Sequence, residues 1–164
     1  TEGKVLMDGI PITEYNIEDY RRKFSVVSQD IHLFMGTVKN NITFDDQADI
    51  DFNRDERLKF CTETIENWDN HYETQVGSEG TKLSGGERQK IALLRALNRK
   101  STILVLDEPS SNYDQDSEKE FDRYIQENTD YDFYFIVTHR KNILSHMDKV
   151  LELENKNCVS ASAQ

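Results

Sequence analysis

Residues 83–109 read LSGGERQKIALLRALNRKSTILVLDEP, a helical half followed by a strand-like half. Ser84 and Glu87 have the S-x-x-E spacing of a capping box, which predicts a helix beginning just after Ser84 and running through the apolar Ile91, Leu94 and Leu97. Gly85 and Gly86 leave the first-turn amides uncovered by side chains, so the positive end of the helix dipole can meet an anion such as phosphate. The run TILVL, 102–106, is apolar at nearly every position, as a strand covered by helices on both faces should be, and it is the expected centre of a sheet. It ends in Asp107 and Glu108, two carboxylates at the C-terminal edge where ligands of open α/β sheets bind. Asp107 suits a hard cation such as Mg²⁺, and Glu108, one residue on and pointing elsewhere, suits the orientation or deprotonation of a water. Taken singly, either half also reads as an ordinary capped helix or a polar strand end entering a turn.

Working outward, further apolar runs at 4–7, 24–27, 133–137 and 150–153 alternate with helical stretches, which predicts an α/β fold with a mostly parallel sheet. Between residues 36 and 97 strands are absent and the chain turns polar and helical, with Leu58, Cys61 and Ile65 on one face: a helical subdomain inserted into the sheet. The closing NKNCVSASAQ is small and polar and reads as a frayed tail. The aromatic residues of YDFYFIV, 131–137, read as sheet packing and not as a nucleobase platform.

The 164 residues suit one domain, and the 20 Lys and Arg against 31 Asp and Glu (net −11) exclude a protein whose main partner is the nucleic-acid backbone. That balance still allows one small anion at a local site. Cys61 and Cys158 are far apart in sequence, without a CxxC pair, and imply a reduced compartment. No apolar stretch approaches a transmembrane span, and no signal peptide is recognisable, so a soluble chain is expected, alone or as part of a membrane protein.

The two halves of 83–109, in this order, resemble the ATP-binding-cassette (ABC) ATPases: LSGGE is similar to their signature motif and ILVLDE to their Walker B motif. SSNYD, 110–114, stands where the family has its D-loop, IVTHR places His139 like the switch histidine, and VVSQD places Gln29 like the Q-loop glutamine. TQVGSEG, 74–80, and LFMGTVKNNITF, 33–44, are similar to exporter segments. The resemblance implies a P-loop NTPase fold of the ABC ATPase type, N-terminally incomplete. Residues 1–36 would be partial core with the Q-loop, 37–97 the helical subdomain ending in the signature, 98–155 the remaining core, and 156–164 a tail.

It further implies ATP and Mg²⁺ as ligands, with Glu108, His139 and Gln29 as catalytic groups and Asp107 and Gln29 at the Mg²⁺. Ser84, Gly85, Gly86, Glu87 and Asp114 would contact ATP, partly across a dimer of ATPase domains, identical or not. The implied partners are that second ATPase domain and a transmembrane domain, with no nucleic acid. The implied function is an ABC exporter's ATP-hydrolysing domain at the cytoplasmic face of the cell membrane. Each residue keeps a plainer reading: Asp114 as the cap of a helix starting near Gln115, Gln29 as a strand-end amide, His139 as a satisfied surface residue.

Two other functions stand beside this one. A chromosome-maintenance or DNA-repair head shares these motifs, but it normally carries a long coiled coil where only 54 positions separate Gln29 from Leu83 here. A non-enzymatic module is the third, because none of the seven glycines begins a G-x-x-x-x-G-K-[ST] phosphate loop, which the family would place upstream of Gly3. Without the helix that follows such a loop, the chain is expected to expose apolar surface and a strand edge, and to self-associate or adopt a domain-swapped arrangement.

Overall fold

The computed structural model describes residues 3–44, 50, 52, 55–127, 130–154 and 157–162, with the side chains of residue 79 and of residues from 153 onward excepted. The elements in chain order are β1 (Leu6–Met7), β2 (Ile10–Pro11), α1 (Ile17–Arg22), β3 (Phe24–Val27), α2 (Val38–Thr43), α3 (Lys59–Glu66) and α4 (Gly85–Asn98). There follow β4 (Ile103–Asp107), α5 (Gln115–Glu127), β5 (Phe133–Val137), α6 (Lys141–Leu144), β6 (Lys149–Glu154) and β7 (Asn157–Ser162).

The α/β fold is as expected, with β4 at the centre of a parallel sheet ordered β3-β4-β5. Val27, Leu106 and Ile136 stand side by side in the register, so the three strands end together at one edge. Parallel neighbours require crossovers. From β3 to β4 the chain passes through α2, α3 and α4, and from β4 to β5 through α5.

Three expectations are corrected. Only three of the five apolar runs join the parallel sheet. Run 4–7 instead forms a hairpin, β1 with β2, because Asp8 and Gly9 both take positive φ (52° and 80°) and make the two-residue turn that an Asp-Gly pair favours. Run 150–153 pairs antiparallel with β7, separated from it by two residues in sequence, a connection too short for a parallel crossover. The segment read as a frayed tail therefore holds a strand through Asn157–Ser162: six backbone pairs order it without large side chains, while residues 155, 156, 163 and 164 and the Cys158 side chain lie outside the description.

The third correction concerns coverage of the sheet. Ser25, Val27, Leu104 and Leu106 lie on a buried face that joins the core of Ile91, Leu93 and Leu94 from α4 and Phe121 from α5. The opposite face carries no helix among the described residues, leaving Val26, Phe133, Phe135 and Val137 56–58% exposed. The expected exposed apolar surface is thus present, and Phe133 and Phe135 are not packed as the sequence suggested.

Between β3 and β4 the apolar period of 3.6 does what it predicts. Leu58, Cys61 and Ile65 are all buried, and α2 docks on α4 through Asn41 and Arg95. The Asn41 amide bonds the Phe34 and Thr37 carbonyls (2.9 and 3.0 Å), and Arg95 Nε donates to the Asn41 carbonyl at 2.6 Å. No helix of the described residues is long and apolar enough to cross a membrane.

Candidate functional site

The carboxyl edge of the sheet collects the candidate residues because Gln29, Glu108 and His139 each follow the end of one of three adjacent strands. Asp107 is the last residue of β4 and is half-buried. Glu108 then turns out of the strand at φ 46°, a left-handed conformation that costs a non-glycine residue about 1–2 kcal/mol. Its main chain is held on both sides: the Glu108 N–H donates to the Val137 carbonyl at 2.9 Å, and its carbonyl accepts from Gln89 Nε2 at 3.1 Å. Backbone strain held by such bonds is a mark of functional sites.

The side chain of Glu108 carries the site's electrostatic peculiarity. Its Oε1 is buried and makes no hydrogen bond among the described residues, standing 3.5 Å from His139 Nε2. The separation is too long for a hydrogen bond, so the ion-pair geometry leaves the oxygen still wanting a donor. His139 itself is 99% exposed. The pair therefore offers a carboxylate that is desolvated on one side and an imidazole free to reach outward.

The signature segment forms the capped helix its spacing predicts. Ser84 Oγ accepts from the Glu87 N–H at 3.2 Å, and the Glu87 carboxylate accepts from the Ser84 N–H at 2.7 Å. The first intrahelical bond runs from the Arg88 N–H to the Ser84 carbonyl at 3.1 Å. The Gly85 and Gly86 amides are left as first-turn donors without an intrahelical acceptor.

Those glycines have a second reason to lack side chains. A Cβ on Gly86 would stand 2.7 Å from the Asn112 carbonyl oxygen, and one on Gly85 3.0 Å from Asn112 Cγ, so the loop 110–114 lies directly on the helix start. Gln29 faces the same region: with Gly85, Arg88 and Asn112 it lines an open depression of about 420 Å³. Asp114 caps α5, its Oδ1 accepting from the Ser117 N–H at 2.8 Å and the Asp116 N–H at 3.1 Å. The Ser117 N–H, above all, holds the Asp114 carboxyl below the usual carboxylate range.

The structure thus joins Glu108 with His139, and Gln29 with Gly85, while Ser84 and Glu87 bond each other. Two residues that contact these candidates escape sequence reasoning. Gln89 is 1% exposed and spans three partners, donating to the Glu108 carbonyl and to Ser111 Oγ (2.9 Å) and accepting from the Asn112 N–H (3.0 Å). The available signal was its i+4 spacing from Gly85, which puts both on the helix face that meets Asn112. Arg140 bonds Ser110 and Asp122, and its available signal was its place directly after His139 in IVTHR.

Residues 1–111 match the sequence profile of the family described as ABC transporter. The ATP-dependent lipid A-core flippase of Vibrio vulnificus (strain CMCP6) is 32% identical over 160 residues, covering 96% of this chain and 27% of that protein. The flippase of the same description from Escherichia coli (strain K12) is 35% identical over 159 residues, covering 94% and 27%. A solved structure, that of a bacterial Atm1-family ABC exporter with ATP bound, matches with a TM-score of 0.85 at 28% identity, over 96% of this chain and 28% of that one. The chain spans little more than a quarter of the length of these relatives. Profile, relatives and solved structure agree with one another over most of this chain: it belongs to the ABC transporter family.

Proposed function

We propose that this chain is part of the ATP-hydrolysing domain of an ABC exporter, coupling hydrolysis to transport across a membrane. The observation that carries the reading is the buried, unpartnered Glu108 Oε1, 3.5 Å from His139 Nε2 at the carboxyl edge of the sheet. A carboxylate oxygen without a donor is suited to accept a hydrogen bond from an attacking water and to draw off its proton. His139, exposed beside it, is placed to donate a hydrogen bond to the terminal phosphate, where negative charge develops. The Gly85 and Gly86 amides, with Ser84 and Glu87 fixing the helix start, would steady the phosphate of a second ATP.

Asp107 and the Gln29 amide oxygen would be the hard oxygen donors for Mg²⁺ at this edge. Asp107 ends β4 and Gln29 stands two residues past the end of the neighbouring β3, and oxygen donors of that kind suit a cation held through one or two protein oxygens together with phosphates and water. When bound, Mg²⁺ supplies charge neutralisation between the phosphates. The seven glycines contain no phosphate-loop pattern, so ATP affinity would rest on residues outside this sequence.

In this reading residues 1–36 and 98–155 are the nucleotide-side core and 37–97 the helical subdomain. Asp114 would add a contact across a dimer of ATPase domains while capping α5. Phe34, Met35 and Phe44, 40%, 76% and 69% exposed, form an apolar surface beyond Gln29 suited to a transmembrane domain on the cytoplasmic face. The loop 74–80 is tied to that surface, since the Val38 N–H donates to the Thr74 carbonyl and the Val76 N–H to the Gly36 carbonyl, both at 3.0 Å. The relatives are described as lipid A-core flippases, and for this chain the transported molecule is proposed only as a membrane-borne substrate.

The test is Glu108→Gln in the full-length protein. ATP binding should persist while hydrolysis falls at least about 100-fold. Hydrolysis near the wild-type rate would remove Glu108 from the role assigned to it.

A further inference from the structure

His139 is almost wholly in solvent, so no packing of its own holds it 3.5 Å from Glu108. Its position is set by the backbone, and the next residue is the anchored one. Arg140 Nη1 donates to Ser110 Oγ at 2.8 Å and to Asp122 Oδ1 at 3.1 Å, and Nη2 to Asp122 Oδ2 at 3.2 Å, with Glu118 Oε2 at 3.4 Å. The Arg140 N–H also donates to Thr138 Oγ1 at 3.1 Å.

These contacts reach three elements. Ser110, 1% exposed, lies two residues past Glu108 in the loop that rests on Gly86. Glu118 and Asp122, four apart on one face of α5, belong to the helix that Asp114 caps. A planar guanidinium fork bonded to Asp122 on two parallel lines, with a third arm on a buried hydroxyl, fixes direction as well as distance, which a lysine could not do.

We propose that Arg140 is a positioning residue that locks His139 in register with Glu108 and ties both to the loop 110–114. The lock has little to gain for stability alone. Burial pushes the Asp122 carboxyl above its usual range, with Arg140 opposing, so desolvation consumes much of what the pair gains by attraction. Its effect is therefore geometric, and it falls on turnover, where a misplacement of about 1 Å is costly.

The inference rests on the ATPase reading above, and the experiment separates the two. ATP hydrolysis by the full-length protein is measured for Arg140→Gln, Arg140→Lys and His139→Ala, and for Arg140→Gln combined with His139→Ala. For Arg140→Gln, kcat should fall about 10-fold or more with KM for ATP within about twofold. Arg140→Lys should keep the melting temperature near that of wild type without restoring kcat. In the His139→Ala background, Arg140→Gln should change kcat by less than about twofold, because its effect passes through His139. If Arg140→Gln fails to fold, Ser110→Ala and Asp122→Asn each remove one arm and should lower kcat about threefold at unchanged KM.

Hydrolysis by folded Arg140→Gln, or by the single-arm variants, within about 1.5-fold of wild type would overturn the inference and leave the ATPase reading standing. Full multiplicative losses in the double variant would do the same. No hydrolysis by the wild type would overturn the ATPase reading, and this inference with it.

Discussion

Alanine at Gly86 should destabilise this protein, although alanine is the better helix former. The added Cβ would stand 2.7 Å from the Asn112 carbonyl oxygen, and ordinary contact begins at 3.4 Å, so the loop backbone must retreat by about 0.7 Å. The Asn112 N–H now bonds Gln89 Oε1 at 3.0 Å. A shift of that size takes the bond to about 3.7 Å, beyond hydrogen-bonding distance, and strips a buried side chain of a donor. The loss is about 1–3 kcal/mol, against a helix-propensity gain of at most about 1 kcal/mol.

The net expectation is about 1–2 kcal/mol of destabilisation, a drop of about 2–8 °C in Tm for a chain of this size. Gly85→Ala is the control. Its Cβ would stand 3.0 Å from Asn112 Cγ and 3.1 Å from Asn112 Cβ, so the exposed amide can turn aside and the Cβ need give only a few tenths of an ångström, and the cost should be clearly smaller than at Gly86. Urea unfolding followed by the fluorescence of Trp68, the only tryptophan, measures both. Equal stability of the two variants, or a more stable Gly86→Ala, would refute the claim that close approach of the 110–114 loop forbids a side chain there.

Asp114→Ala should cost about 1 kcal/mol through loss of the α5 cap, whereas Asp114→Asn keeps an acceptor and costs less. Because the folded carboxyl is held below its unfolded range, its contribution is present above the unfolded pKa and is lost as pH falls through the folded one. The gap between wild type and Asp114→Asn should therefore narrow as pH falls from about 6 through the usual aspartate range in urea titrations, and a gap independent of pH contradicts it. The open face of Val26, Phe133, Phe135 and Val137, beside the unpaired outer edges of β3 and β5 among the described residues, should drive self-association of the 164-residue chain. Light scattering should show oligomers that Phe135→Lys reduces, and a monodisperse monomer of the unaltered chain would count against it.

How much of this was legible beforehand follows from the range of the forces involved. The capping box at Ser84 and Glu87, the buried stripe of Leu58, Cys61 and Ile65, and the strand ending at Asp107 were all readable, because spacing of 3.6 or 2 residues reports which side chains share a face. The β1–β2 hairpin was also signalled, by Asp8-Gly9, but a four-residue apolar run outweighed a two-residue turn signal. The strand at Asn157–Ser162 was not legible, since small polar residues carry no pattern and the pairing energy there is in the backbone.

The sequence by itself determined the chemical inventory and its order: a capped glycine-start helix, a buried strand with two carboxylates at its end, a histidine after the next strand. Local periodicity and capping are encoded within a few residues, so they survive without a structure. Only the tertiary structure decided that Glu108 turns left-handed and keeps an unpartnered oxygen beside His139, that Gln89 and Arg140 hold that corner, and that one sheet face stays open. These contacts join residues 18 to 31 positions apart, through partners chosen by strand register and helix packing, and no local pattern carries that information.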